Sequence, residues 1–123
     1  MSILKPLDER EKKAAKILLS MLKAHYVGKE NSISNSKIRE GFLKRFNEKF
    51  ADARIRKIIH HLAVESSELV IADSKGYYIA KNWLEAENHC KSLEERMLAI
   101  ARRKRATEDK IKKQQNDKYA PKL

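Results

Sequence analysis

Cysteine, proline and glycine are scarce in this sequence. The 123 residues include one cysteine, two prolines and three glycines. Because Cys90 has no second cysteine to pair with, an internal disulfide is excluded, which fits a reducing compartment such as the cytoplasm. Most of the few glycines are expected to mark helix ends or turns. Gly28 follows a helical segment and Gly76 falls in a tight turn, whereas Gly41 lies inside a helical pattern.

Long apolar runs are also missing from the chain. No segment approaches the roughly 20 consecutive apolar residues that a membrane-spanning helix needs. The first residues, MSILKPLDEREKK, reach charged positions before any apolar core of a secretory signal can form. We therefore expect no membrane partner and a cytoplasmic location.

Patterns typical of enzymes and metal sites are absent as well. The sequence has no HExxH, CxxC, Walker-type or GxGxxG motif. The pairs His89–Cys90 and His60–His61 are adjacent residues, which point about 100° apart on a helix and so do not face one partner together. We expect no catalytic activity, no metal, no cofactor and no small-molecule substrate.

Positive charge is abundant. The chain has 28 lysines and arginines against 17 acidic residues, which gives a formal net charge of +11. In a small protein this bias favours a polyanionic partner such as DNA, RNA or an acidic membrane surface. The competing interpretation is a protein whose surface is merely basic.

Apolar residues recur at helical spacing in three segments. The first helix is expected over residues 8–26 with Asp8 as its N-cap, and the second over about 37–47. A third is expected over about 53–66 with Asp52 as its N-cap. This third segment has the clearest amphipathic pattern, because its apolar residues follow the i, i+3, i+4, i+7 spacing. They are Ile55, Ile58, Ile59 and Leu62.

The stretch VIADSKGYYIAK differs from its helical surroundings. Residues 69–72 and 77–80 favour strands, and Asp-Ser-Lys-Gly between them favours a tight turn in which Gly76 supplies a positive φ. A single hairpin is marginal in water, so this one is expected to pack on the helices through Tyr77 and Tyr78. Upstream, Ile33 allows at most a very short strand.

From Trp83 onward the sequence returns to a helical pattern. Six residues, which we call the seam, alternate steps of three and four as in a heptad repeat: Trp83, Ala86, Cys90, Leu93, Met97 and Ile100. The seam either covers the core of its own domain or forms a coiled coil with a second copy. We expect the helix over residues 83–106 and a disordered, basic polar tail over 107–123.

The order helix, short strand, helix, helix, hairpin, helix predicts a mainly helical α+β fold. It is the order of a winged helix-turn-helix with a two-stranded wing and a long C-terminal helix. Residues 1–30 would contribute the N-terminal helix to the core, and residues 31–82 the helix-turn-helix and wing. If the apolar face of the third helix is buried, its opposite face is basic and turns outward, as a DNA-recognition helix requires.

The predicted DNA-binding residues form three groups. On the recognition helix they are Ala53, Arg54, Arg56, Lys57 and His60, with Arg54 assigned to a phosphate. At the tip of the wing they are Ser74 and Lys75. At the start of the second helix, Ser34, Ser36 and Lys37 are secondary phosphate contacts, and helix capping alone is the competing role of each serine.

Four segments carry a family resemblance: ISNSKIRE, ARIRKIIHHL, SKGYYIAKN and EAENHCKSLEERMLAIARRKRA. They resemble small winged-helix proteins encoded in bacteriophages and prophages, over residues 33–106, and the SKGYYIA stretch is the most specific part. The linker RFNEKFADA is longer than is usual in that group. The resemblance implies a winged-helix fold, DNA binding, a part in replication or transcriptional regulation, and the cytoplasm of a bacterial host.

Two functions from different classes follow. The first is non-catalytic binding of duplex DNA, with a homodimer through the C-terminal helix as a further expectation. The alternative is a protein–protein interaction module that uses the winged helix and the C-terminal helix as an adaptor. Steep loss of affinity with salt would distinguish the first from the second.

Overall fold

The computed structural model describes residues 5–116, which form four α-helices and a two-stranded antiparallel sheet. This mainly helical layout is compatible with a winged-helix-like arrangement. The chain divides into two compact units, one ending at Ala86 and the other beginning at Glu87. In chain order the elements are α1 (Glu9–His25), a short 3-10 turn (Lys29–Asn31), α2 (Asn35–Phe46), α3 (Asp52–Glu65), β1 (Val70–Ala72), β2 (Tyr77–Ile79) and α4 (Trp83–Asn116).

Helix α1 begins at a capping box. The Asp8 carboxylate accepts a hydrogen bond from the Glu11 amide at 2.7 Å, and the Glu11 carboxylate accepts one from the Asp8 amide at 3.0 Å. Two amides that have no partner inside the helix are thereby satisfied. Asp8 is thus the N-cap, as predicted. The buried face of α1 consists of Glu11, Ala14, Ala15, Leu18 and Leu22.

Helix α2 begins after Ser34, whose hydroxyl accepts a hydrogen bond from the Lys37 amide at 3.3 Å. It ends at Phe46 and is followed by the C-cap Asn47, which adopts a left-handed conformation with φ of 52°. The linker to α3 is five residues long and is anchored by Phe50, which is 4% exposed and stacks edge-on against Phe42 at 5.3 Å. Phe50 is therefore part of the core, whereas Asn47, Lys49 and Ala51 of the linker are exposed.

Helix α3 begins at Asp52, and Ala51 occupies the N-cap without a side-chain hydrogen bond. The prediction that Asp52 is the cap is wrong by one residue. The Asp52 carboxylate instead lies in the first turn, 3.2 Å from the Arg56 guanidinium, where a negative charge also favours the helix dipole. The predicted apolar face is confirmed, because Ile55, Ile58, Ile59 and Leu62 are all buried.

The hairpin pairs Val70 with Ile79 and Ala72 with Tyr77. Its second strand also pairs with single residues of the segment between α1 and α2: Ile33 forms an antiparallel bridge to Tyr77, and Val27 a parallel bridge to Ile79. Successive side chains of β2 point to opposite faces. Tyr77 therefore joins the main core, whereas Tyr78 packs in a smaller cluster with Ile71 and Ala80. Tyr77 is thus buried among residues of the helices, as expected, whereas Tyr78 is buried mainly against the hairpin segment, with Ala86 as the helical residue that packs against its cluster.

Helix α4 continues to Asn116, so residues 107–116 are helical where a disordered tail was predicted. No glycine or proline interrupts the sequence between Trp83 and Asn116, and an ion pair of i, i+4 spacing joins Lys104 to Glu108 at 3.5 Å. Both features support a helix after the seam ends. The rest of the predicted tail, 117–123, lies outside the described residues. No helix within 5–116 is long and apolar enough to cross a membrane.

Gly76 allows the hairpin to lie directly against the backbone before α2. Its φ is 150°, and a Cβ atom there would lie 2.3 Å from the Ile33 carbonyl oxygen and 3.1 Å from the Ser34 nitrogen. Backbone atoms cannot move aside as a flexible side chain can. A side chain at this position is therefore excluded by space as well as by backbone conformation.

Gly76→Ala is expected to destabilise the fold by about 2 kcal/mol or more, because strain and a backbone clash coincide. Gly41→Ala is the matched control: a Cβ there meets nothing within 4 Å in α2. Alanine in place of a helical glycine should raise stability by about 0.5–1 kcal/mol. Urea unfolding followed by circular dichroism measures both changes. Equal effects of the two substitutions would contradict the close approach at Gly76.

Candidate nucleic-acid interface

Asn35, the first residue of α2, links three elements through its side chain. Its amide nitrogen donates to the Asp52 carbonyl at 3.2 Å and to the Tyr77 hydroxyl at 3.1 Å. Its amide oxygen accepts from the Arg39 guanidinium at 2.9 Å. The N-terminal ends of α2 and α3 are thus fixed to each other and to β2. Asn35 is not among the predicted site residues, because its partners on α3 and β2 lie 17 and 42 residues away and no local pattern indicates them.

The hairpin tip, residues 73–76, is shaped by Asp73. The Asp73 carboxylate accepts hydrogen bonds from the amides of Lys75 at 2.8 Å and Gly76 at 3.1 Å. This Asx-type turn leaves the side chains of Ser74 and Lys75 exposed. Because Gly76 lies against the backbone of Ile33 and Ser34, the tip is placed beside the start of α2.

The predicted phosphate contacts at the start of α2 divide into two kinds. Ser36 and Lys37 are exposed. Ser34 is partly buried, and its hydroxyl caps the helix and lies 3.3 Å from the Ser36 hydroxyl. Two of the three predicted phosphate contacts, Ser36 and Lys37, are therefore exposed to solvent near the hairpin tip. The third, Ser34, caps α2 instead.

The outward side of α3 presents three of the five predicted recognition residues. Ala53, Arg56 and His60 are exposed, and the Arg56 side chain is 65% accessible despite its ion pair with Asp52. Through the hydrogen bond from Asn35 to Asp52, the first turn of this helix is adjacent to the start of α2. Members of all three predicted groups therefore lie around one point, the N-terminal end of α2.

The other two recognition residues, Arg54 and Lys57, turn towards α1. The Arg54 guanidinium contacts Asp8 at 2.7 Å and Glu11 at 3.2 Å, and it lies over the Phe50 ring at 5.5 Å. The Lys57 ammonium contacts Glu11 at 2.9 Å. About one third of each cationic side chain is exposed. Both predicted contacts are thus engaged within the fold.

Glu11 is the buried charged residue at the centre of this network, with 1% of its surface exposed. Burial raises its pKa, but hydrogen bonds from the Asp8 amide, Lys57 and Arg54 outweigh burial and lower the pKa from 4.5 to about 2. Two sequence signals could have found it. Asp8 and Glu11 have capping-box spacing, and Glu11 precedes Ala14 and Leu18 on the buried stripe of α1.

A cavity of about 450 Å³ opens where α1 faces α2 and the linker that follows it. Its walls are largely aromatic and aliphatic, and Phe46, on the α2 side, is 47% exposed. Three cations of α1 surround it, and Glu48 is the single acidic residue in the lining. The lining residues are Arg10, Lys13, Ala14, Lys16, Ile17, Phe42, Phe46, Glu48 and Phe50.

Comparisons of the chain with protein-family models, with curated proteins and with solved structures find no match. The resemblance to phage winged-helix proteins therefore stays a prediction, and the function is argued from this chain's own residues. Within residues 5–116, no group of three or more histidine, cysteine, aspartate or glutamate side chains is placed to hold a metal ion.

The Glu11 network predicts a specific pH dependence of stability. Because the folded-state pKa of about 2 lies below the ordinary 4.5, the ionised carboxylate stabilises the fold above pH 4.5. This contribution, about 3 kcal/mol, is lost as the pH falls from 4.5 towards 2. Glu11→Gln should therefore lower the free energy of unfolding by about 3 kcal/mol at pH 7, and the gap to wild type should close near pH 2.

Urea unfolding of both proteins between pH 7 and pH 2.5 measures this gap. Glu9→Gln is the control, because Glu9 lies in the same first turn but its side chain is 93% exposed. Its effect should stay within about 0.5 kcal/mol. A gap for Glu11→Gln that does not change with pH would contradict the low pKa.

Proposed function

We propose that this protein binds duplex DNA without catalysis, as a winged helix of the phage type acting in replication or transcriptional regulation. The observation that supports it is the arrangement around Asn35, which groups an exposed face of α3, the start of α2 and the hairpin tip. A winged helix uses these three elements on DNA: one helix in the major groove, and a helix N-terminus and a wing on the flanking backbone.

Arg56 is the residue we assign to base contacts. It lies in the first turns of α3, where a recognition helix reaches base edges, and an arginine binds guanine through two hydrogen bonds. Both side chains of its ion pair with Asp52 are exposed, so the pair contributes little to stability. Replacing this ion pair by a contact with a base therefore costs little free energy. Ala53 leaves space for close approach of the helix, and His60 lies one turn further along the same face.

Phosphate contacts are assigned to the hairpin tip and the start of α2. Lys75 and Lys37 are exposed cations there, and Ser74 and Ser36 offer hydroxyl donors. The amides at the N-terminal end of α2 add a favourable dipole for an anion. In this proposal Arg54 and Lys57 orient α3 on α1 rather than contact DNA.

A second candidate function is the docking of a partner protein. The cavity beside α1 has an apolar floor and a cationic margin formed by Lys13 and Lys16, whereas Arg10 in the same lining is ion-paired with Glu48. This chemistry fits an amphipathic helix whose polar side is acidic. The apolar contacts of such a complex would make its affinity less dependent on salt than DNA binding.

Fluorescence anisotropy with random duplex and single-stranded DNA tests the proposed function. We expect binding to duplex that weakens steeply between about 50 and 200 mM salt, with a log–log slope near −0.9 for each phosphate contact. Preference for single strands would contradict groove reading. Absence of binding to both at low salt would leave partner docking as the function to test.

Two substitutions locate the site on duplex DNA. On a selected target sequence, Arg56→Ala should weaken binding by about 1–3 kcal/mol, roughly 5- to 150-fold. Lys75→Ala should weaken binding to all sequences and make the salt slope shallower by about one. Lys12→Ala on α1 is the charge-matched control and should leave affinity nearly unchanged. Lys57→Ala is unsuitable, because it removes a partner of buried Glu11.

A further inference from the structure

Helix α4 exposes an unusual amount of apolar surface. Trp83 is 80% exposed, Met97 68% and Ile100 52%, and no described residue of α4 is buried. These residues belong to the seam, and Ile111, which is 49% exposed, continues its spacing. A regular apolar stripe of this kind on a long helix marks an interaction surface.

The charges beside the seam are sorted by sign. In heptad notation the seam occupies positions a and d, with Trp83 at a and Ala86 at d. The e positions on one flank are acidic or neutral, and the g positions on the other flank are basic. Position e holds Glu87, Glu94, Ala101 and Glu108, and position g holds His89, Arg96, Arg103 and Lys110.

Near the start of the seam, Ala86 packs against the cluster of Ile71, Tyr78 and Ala80 in its own chain. We propose that a second copy of this chain covers the rest of the seam, from Cys90 onward, with the two α4 helices parallel and in register. In a parallel pair, position g of one helix faces position e of the next heptad on its partner. Arg103 then meets Glu108 of the partner subunit, and the twofold symmetry repeats this pair. In an antiparallel pair g faces g and e faces e, so arginines face arginines and glutamates face glutamates, which disfavours that orientation.

Lys104 occupies an a position between Met97 and Ile111. A polar residue at a single a position favours one register and one oligomeric state and reduces stability, and Thr107 at position d adds a second polar residue to this stretch. The Lys104 ammonium group lies 3.5 Å from the carboxylate of Glu108, which occupies position e of the same helix. The Lys104 side chain therefore points to the flank of the seam. The pair is therefore expected to be specific but weak, with self-association that depends on protein concentration.

Cysteine crosslinking determines the orientation. Cys90 and Thr107 occupy positions a and d, and in a parallel pair each lies opposite its own counterpart. They are 17 residues apart, so an antiparallel pair that brings one position together separates the other by about 50 Å. Diamide takes two electrons and two protons from two thiols and leaves one disulfide. We compare wild type, C90S/T107C and, as an outward-facing control at position c, C90S/S92C.

On non-reducing gels, wild type and C90S/T107C should both give rapid dimer formation, at least tenfold faster than C90S/S92C. Crosslinking at only one of the two seam positions would overturn the parallel arrangement. Equal rates for all three proteins would overturn the seam as the interface. Circular dichroism of each variant confirms that α4 remains helical.

Charge reversal provides an independent test. R103E and E108R should each associate more weakly than wild type, because each places like charges opposite one another. Mixed together they should associate again, since both interhelical pairs regain opposite signs. R102E, at the outward f position, should associate like wild type. Sedimentation equilibrium of the full chain measures all five samples: wild type, the three single variants and the mixture.

A monomeric wild type at all concentrations would overturn the proposal, as would failure of the mixture to recover association. These readouts follow self-association alone, so the dimer and the proposed DNA binding can fail or succeed separately.

Discussion

The placement of α3 depends on the ion pairs that this helix forms with the buried carboxylate of Glu11. Two cations of α3, Arg54 and Lys57, converge on it from the inner side of that helix. Removing either cation would leave the buried carboxylate with one charged partner fewer, which costs more than the loss of one fully exposed ion pair. The rotation of α3 about its axis is therefore specified by charge as well as by its four isoleucine and leucine residues. That rotation is what turns Arg56 outward.

Local patterns predicted the elements well because they depend on neighbouring residues. Asp8 and Ser34 cap helices through amides three residues away, and the apolar spacing of α3 reports its buried face directly. The end of α4 was predicted too early, because the seam loses its regularity after Ile100. An apolar seam is needed for a helix to pack against a partner, not for the helix to form. Residues 107–116 favour helix intrinsically and are helical without a seam.

The site was harder to predict because its contacts are distant in sequence. A basic residue on an amphipathic helix gives no sign of whether it meets solvent or an acid on another helix. Arg54 and Lys57 are 43 and 46 residues from Glu11, and outward and inward cations alternate within one turn of α3. The predicted set of five thus mixed residues that orient the helix with residues that solvent reaches.

Asn35 makes its three contacts through an uncharged amide. Two of them involve uncharged partners, a backbone carbonyl and a phenol, so dissolved ions screen them little. These two hydrogen bonds, which join α2 to α3 and to the hairpin, are consequently little affected by the salt concentration. A response of this protein to ionic strength therefore reports what happens at its charged groups, both the exposed cations and the Glu11 network, while these two contacts of Asn35 persist.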